Sequence, residues 1–494
     1  MSALTAEPTQ VQVPTLANYI DGGWRPSATA DALEDRNPAN GHLIARVPLS
    51  AAEDVAAAAR AARAAFPAWR ATSPLVRARA VFALRERLYA HKEELARLVT
   101  RDMGKTLDDA RGEVQRGLES VEAACAIPSL LKGDTLEGVA SDVDVELVRQ
   151  PVGVVAAITP FNFPAMIPLW FLPYAIACGN TFILKPSEQD PLTSQRIFEI
   201  IDGIDELPPG VLNLVHGGHA AVNALLDEPE INAISFVGSA STAHYIYRRA
   251  AERGKRVQAL GGAMNSMVVM PDADPDLLVK GVTASAFGAA GQRCLAGSVA
   301  VLVGTTEEQD RLRDQIVDAA RALRTGDGAD PATDVCPLVS VAARERIERV
   351  LAEAEAGGVQ IVLDGRIDGG EGGAELGATI VDDVPAEHFM AQEELFGPVL
   401  SLVRVPDLEA AIAQVNTSRY GNATAIFTGS GLAAREYRFG VEAGMVGVNI
   451  GVPAPVAWFP FAGWKESFDG DLHANGDDAV EFYTRKKVVT TRWR

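Results

Sequence analysis

The sequence predicts an α/β protein built on doubly wound, mostly parallel sheets. Two observations carry that expectation. From Pro151 onward, apolar strand candidates alternate with helical stretches of ten or more residues, the text of repeated β-α-β units. Of the 494 residues, 48% are apolar and 22% charged, a balance that builds globular cores and excludes chain-wide disorder. The length suggests about three structural units at roughly 150 residues each.

The elements follow in chain order. Residues 51–129 read as helices, rich in alanine, leucine and arginine, with apolar positions three and four apart. Strict alternation over Asp142–Val148 then argues a half-buried strand that belongs to neither neighbouring region. Five strand candidates come next: Val154–Ile158, Thr181–Leu184, Val211–Val215, Ala233–Phe236 and Arg256–Leu260. A boundary is expected near Gly261-Gly262. A second series holds Val299–Val303, Gln360–Leu363, Val399–Val405 and Ala423–Phe427. Lys486–Thr491 is a last strand, pairing either with 142–148 or with another subunit.

Charge and cysteines narrow the function. The net charge of −20 repels phosphate backbones and anionic lipid, so neither nucleic acid nor a membrane is an expected partner. A small anionic ligand needs only a few local cations and is not excluded. Cys125, Cys178, Cys294 and Cys336 are far apart with no C-x-x-C pair, which speaks against zinc knuckles and disulfide frameworks. Free thiols, the absence of a secretory or transit pattern and the shortness of the apolar run 165–179 (15 residues, two prolines) point to a soluble, cytoplasmic protein.

Neither G-x-G-x-x-G nor a P-loop is present. Two strand ends still offer polar groups where open α/β sheets bind ligands. Leu184-Lys185-Pro186-Ser187-Glu188 sets a lysine and a carboxylate three apart, suited to ribose hydroxyls or simply to starting a helix. Phe236-Val237-Gly238-Ser239 puts a glycine and a hydroxyl at a strand-to-helix turn, suited to phosphate. Cys294 follows Gly291-Gln292-Arg293 in a glycine-lined polar setting. It is the nucleophile candidate, whereas the other three cysteines lie in apolar stretches. His216 and His219 form a loop pair without a third ligand, so no metal site is expected. Arg116 reads as a solvated residue on the polar face of a helix.

Taken jointly, Pro160-Phe161-Asn162-Phe163-Pro164, the Lys185–Glu188 element, Phe236–Ser239, Gly291–Cys294 and Glu394-Leu395-Phe396-Gly397-Pro398-Val399 resemble the aldehyde dehydrogenase superfamily in order and spacing. The resemblance spans nearly the whole chain. It implies an NAD-binding domain (1–129 and 150–260), a catalytic domain (261–465) and a small oligomerisation β-flap (130–149 and 478–494). Within the superfamily, Pro164–Trp170, Ala177–Thr181, Gly254–Leu260, Gly444–Ile450 and Phe482–Arg485 resemble the CoA-acylating methylmalonate-semialdehyde dehydrogenases. Hydrolytic relatives carry a water-activating glutamate where this chain has Ala259.

The resemblance also assigns roles. Cys294 attacks the aldehyde, and the Asn162 amide with the Cys294 N–H meets the oxyanion. Lys185 and Glu188 hold the adenosine ribose of NAD, Ser239 the pyrophosphate and Glu394 the nicotinamide ribose, while Thr159, Phe161, Gly261 and Phe396 line the cleft. Arg116 and Arg293 clamp a substrate carboxylate. Coenzyme A takes the acyl group after loss of carbon dioxide, and the assembly is a homo-oligomer, dimer or tetramer. The chain departs from the branch at Met264, Gln189 and Trp458–Gly463, the last bordering the expected substrate entrance. Two rival readings are a hydrolytic NAD-dependent dehydrogenase and a non-catalytic, crystallin-like relative.

Overall fold

The computed structural model describes residues 13–367 and 370–493. The helical region resolves into α1 (Ala52–Ala71), α2 (Pro74–Ala90), α3 (Lys92–Met103), α4 (Leu107–Cys125) and the single turn α5 (Ile127–Leu130). α3 stops at Gly104, whose left-handed φ of 93° closes the helix without a Cβ penalty. α4 restarts at once because the Thr106 hydroxyl accepts from Asp109 N–H, with Asp108 and Asp109 in the first turn where the helix dipole favours them. Its buried face is Ala110, Val114, Gly117, Leu118 and Val121, spaced three and four apart. Gly117 matters for contact distance. A Cβ there would lie 2.9 Å from Leu169 Cδ1 and 3.3 Å from Met166 Cα, so glycine lets α4 close on the next helix.

That helix, α6 (Met166–Ala177), is buried along its whole length, as its unbroken apolar text requires. It is followed by α7 (Leu192–Ile201), α8 (His219–Asp227) and α9 (Ala240–Glu252). These helices pack on a sheet whose five central strands are parallel, in the order Leu212–Leu214, Thr181–Lys185, Val154–Ile158, Ile231–Gly238, Arg256–Gly261. All five were expected from the sequence. The chain runs outward from Val154–Ile158 first on one side and then on the other, so the strand order reverses there. A doubly wound sheet opens its ligand crevice at such a point. The sheet is not wholly parallel: Asn18–Ile20 and Gly23–Arg25 cap one edge and Phe468–Asp469 the other, antiparallel.

A second sheet has seven strands, in the order Gln360–Leu363, Thr379–Asp382, Val399–Val405, Gly297–Val303, Asn265–Val269, Ala423–Phe427, Met445–Val448. Only Gln360–Leu363 runs antiparallel to its neighbour. Asn265–Val269, Thr379–Asp382 and Met445–Val448 were not expected from the sequence. The α/β class stands, with antiparallel edges added. The orphan strand extends over Val143–Pro151 and sits between Thr135–Ala140 and Thr484–Arg492. Its register with the C-terminal strand runs from Thr484↔Pro151 to Arg492↔Val143, so the strand left with two possible partners pairs within its own chain. No helix among the described residues is long and apolar enough to cross a membrane.

Candidate active site

The strand Val154–Ile158 leaves the sheet at the switch point and delivers residues 159–164, a short segment that turns into α6. Asn162 in it is buried, and its carbonyl accepts from Lys105 Nζ at 2.7 Å. From the second sheet's side comes the cysteine. The helix Pro275–Phe287 ends in a tight turn, Gly288–Gly291, in which Ala289, Ala290 and Gly291 have φ of 50°, 53° and 69°. Left-handed alanines cost of order 1–3 kcal/mol each and persist only where neighbours hold them. Here Ala289 N–H donates to Asp109 Oδ2 at 3.0 Å. A Cβ on Gly291 would collide with the Gly397 carbonyl, so glycine brings the turn against the Glu394–Pro398 segment. The Cys294 carbonyl then accepts from Asn265 Nδ2 (2.9 Å) and Asn422 Nδ2 (2.7 Å), which fixes the backbone under the sulfur.

Two cavities meet at Cys294. One, of about 260 Å³, is lined by Arg116, Arg293, Phe163 and Val452 among others. The other, of about 500 Å³, is lined by Phe161, Asn162, Ser239, Gly261, Glu394 and Phe396 among others. Trp170, Cys294 and Phe461 belong to both. A reactant in the first space and a second one in the other would therefore face each other across the sulfur. Burial first, and the Glu394 charge second, push the Cys294 thiol up to about 12. Burial does the same to Cys178 and Cys336, and takes Cys125 to about 11. Position, not acidity, separates Cys294 from the others.

Both arginines are on the wall of the smaller cavity, and each already has a carboxylate partner. Arg116 Nη1 is 3.0 Å from Glu119 Oε2, and Arg293 Nη2 is 2.5 Å from Asp109 Oδ1. Arg116, with its side chain 43% exposed, is as solvated as the helix pattern suggested, yet it also faces the cavity. Arg293 Nη1 also donates to the Ala284 carbonyl at 3.2 Å. A guanidinium has five donors, so each arginine keeps others for a ligand.

Along the larger cavity, the structure brings five of the eight dinucleotide candidates onto one wall: Phe161, Ser239, Gly261, Glu394 and Phe396. Thr159, Lys185 and Glu188 stand at the adjoining strand ends but not on that wall; Thr159 N–H donates to the Lys185 carbonyl at 3.1 Å. Lys185 Nζ is 2.8 Å from Glu188 Oε2. Burial alone would raise Glu188, but the Lys185 ammonium outweighs it and holds the carboxyl below its ordinary range. Ser239 caps α9, and its hydroxyl bonds to Thr242 Oγ1 at 2.8 Å. A Cβ on Gly261 would meet Ala243 Cβ at 2.7 Å and Ala240 Cα at 2.9 Å, so the missing side chain allows α9 to start against the strand end. Glu394 is pushed up to about 7 by burial, opposed by a bond from Ala263 N–H (3.3 Å) and by the charge of Arg346. Phe396, at φ 53°, meets Phe161 edge to face at 5.7 Å.

These residues suit a dinucleotide. A helix N-terminus carrying a hydroxyl, close backbone and a nearby ionised carboxylate are what pyrophosphate and ribose require. The buried Thr159 Oγ1, without a partner, adds an unused polar atom beside them.

Ala259 sits differently from what its place in the sequence suggested. It packs with Phe236 and Val257 in the apolar core on the face of the sheet covered by α1, α8 and α9, and its neighbour Leu260 lines the cavity. His216 and His219 bond to Gln195 and Asn223, and no group of three metal-ligating side chains occurs among the described residues. Sequence reasoning also missed Asn265, Asn422, Lys105, Glu113 and Asp109. Nothing in a single sequence distinguishes an asparagine that holds a carbonyl from any other.

Residues 24–489 match the model of the aldehyde dehydrogenase family. The chain belongs to that family. Among its relatives, malonate-semialdehyde dehydrogenase 1 of Geobacillus kaustophilus is 48% identical over 487 residues, covering 98% of this chain and 99% of that one. Among solved structures, a methylmalonate-semialdehyde dehydrogenase from Oceanimonas doudoroffii is 45% identical with a TM-score of 0.95, covering 98% of this chain and 99% of that one. A putative methylmalonate-semialdehyde dehydrogenase from Sinorhizobium meliloti, complexed with NAD, is 43% identical with a TM-score of 0.95 at the same coverage. As an aldehyde dehydrogenase, the protein needs a nucleophile between an aldehyde space and a hydride-acceptor space. Among the described cysteines, Cys294 is the one that lines both of these cavities.

Proposed function

We propose that this aldehyde dehydrogenase oxidises malonate or methylmalonate semialdehyde with NAD and passes the acyl group to coenzyme A, releasing carbon dioxide. The observation that carries the reading is the cavity beside Cys294, whose wall holds Arg116 and Arg293 together with Asp108, Asp109, Glu113 and Glu119. A short aldehyde bearing a carboxylate would take the guanidinium donors that Asp109 and Glu119 leave over. Cys294, after losing its thiol proton to solvent, adds as the thiolate to the aldehyde carbon while Asn162 Nδ2 and the Cys294 N–H donate to the developing oxyanion. NAD, when bound, accepts the hydride from that carbon. Lys185 and Glu188 orient its adenosine ribose, Ser239 its pyrophosphate and Glu394 its second ribose, and the ionised Glu188 disfavours an extra phosphate on the first ribose.

Cys294 is left as a thioester. In a malonate-type thioester the carboxylate sits β to the carbonyl. Its C–C bond electrons can pass into the thioester as carbon dioxide leaves, and the α-carbon then takes a proton. Where hydrolytic relatives carry the glutamate that activates water, this chain has the methyl group of Ala259, which favours the CoA thiol as acceptor and gives acetyl-CoA or propionyl-CoA. The reading assigns the first sheet to NAD and the second to catalysis, with the three-stranded sheet as the flap of a cytoplasmic homo-oligomer, dimer or tetramer. The test follows NADH from both semialdehydes with and without CoA, with acyl-CoA detected by mass. One burst of NADH that resumes on adding CoA is expected. Steady NADH in CoA-free buffer, with free acid as product, would put the hydrolytic dehydrogenase in its place.

A further inference from the structure

Lys105 and Glu113 form an ion pair of 2.6 Å with both side chains fully buried. Such a pair is poor value as a source of stability, because two charges are removed from water to make it. Its other contacts show what it holds. Lys105 Nζ also donates to the Asn162 carbonyl at 2.7 Å and lies 4.1 Å over the Phe163 ring. Glu113 Oε1 accepts from Ala165 N–H at 2.8 Å and Met166 N–H at 3.1 Å, the backbone entering α6. The pair thus grips residues 162–166 from below at three backbone points. Asp109, one turn earlier on α4, grips the other half of the site: Oδ1 takes Arg293 and Oδ2 takes Ala289 N–H. The nucleophile comes from one sheet's side of the molecule and the amide from the other, and α4 touches both.

We propose that Lys105 and Glu113 are positioning residues that set the Asn162 amide against Cys294, with α4 as the common frame for both halves. The inference rests on the role given to Asn162 above. An oxyanion donor must already be in place where charge develops, since movement during the reaction forfeits its advantage. A misplacement of about 1 Å can cost roughly 100-fold.

The test is a double-mutant cycle on the rate of the NADH burst, which reports thioester formation. Asn162→Ala is expected to slow the burst roughly 10²–10³-fold. Lys105→Met is expected to slow it about 10- to 100-fold in the native background, with the KM for NAD changed by less than about twofold. On the Asn162→Ala background the same change should cost less than about twofold, because the amide it positions is gone. The alkylation rate of Cys294 by iodoacetamide should be the same with Lys105 or Met. If Lys105→Met does not fold, Lys105→Met/Glu113→Gln carries the same cycle, since it leaves no unpaired buried charge. Full additivity would overturn the inference and mark the pair as structural, while leaving the function intact. An Asn162→Ala enzyme with a normal burst would overturn both the oxyanion role and this inference.

Discussion

The Glu394 carboxylate has two effects that pull apart. It closes the wall of the larger cavity, and its charge adds to burial in raising the Cys294 thiol to about 12. Glu394 itself is raised to about 7, so its charge appears above that pH and there penalises the thiolate. Glu394→Gln should therefore shift the pH profile of Cys294 alkylation to lower pH in the ligand-free enzyme, read with iodoacetamide. An unmoved profile would mean that burial alone governs the sulfur. Cys294→Ala should abolish the NADH burst, whereas Cys125→Ala and Cys178→Ala should keep it. Arg116 is half solvated and tied to Glu119, so its part in holding a carboxylate is the more exposed claim. Losing a charge-assisted contact costs about 1.5–3 kcal/mol, so Arg116→Leu should lower kcat/KM roughly 10- to 100-fold on malonate semialdehyde and spare propanal. Equal losses on both would mark the arginine as structural. At this scale the cysteine that lines both cavities was legible as the nucleophile candidate, because a cysteine among glycines and polar residues is unusual. Asn265 and Asn422 were not, since their duty depends on folding that brings residues 29 and 128 positions away to one carbonyl.

Elements were legible where the text is long and apolar. The five central strands of the first sheet were all found, because a parallel strand buried on both faces reads as one apolar run. Asn265–Val269 was not. It starts just after Gly261-Gly262 with a buried asparagine and serine, both tied into the Cys294 and Thr424 neighbourhoods rather than facing water. Thr379–Asp382 and Met445–Val448 have four residues each, too few for a period to show. The same closeness of strand and helix makes a prediction at Gly261. Gly261→Ala would drive a Cβ into Ala240 and Ala243, and overpacking of this kind costs typically 1–3 kcal/mol. The relief available is outward movement of the α9 N-terminus, where Ser239 sits. NAD binding should weaken about tenfold or more in a calorimetric titration, with a lower Tm. Unchanged affinity would show that the approach of α9 does not shape the dinucleotide site.

Over the whole molecule, the three-stranded sheet joins distant parts of the chain, since Thr484–Arg492 zips onto Val143–Pro151 along nine register pairs. Sequence alone showed both strands and left the last one two partners, 142–148 or another subunit, because period-two alternation says which face is apolar and not which strand lies alongside. The sheet is short of partners. Leu136 is 65% exposed, Val488 63% and Trp493 60%, and the outer strands Thr135–Ala140 and Thr484–Arg492 each leave an edge unpaired. Native proteins usually cover or charge such edges and apolar faces. With a net charge of −20, copies of this chain repel one another, so any assembly of them needs a specific apolar contact. If this sheet is the assembly flap, Leu136→Lys with Val488→Lys should lower the mass measured by light scattering on a sizing column. Both side chains are far in sequence from the Cys294 loop and lie outside both cavities, so the NADH burst per subunit should survive dissociation. An unchanged mass would place the subunit contact elsewhere, and a lost burst with an unchanged mass would tie the flap to the active site by a route other than assembly.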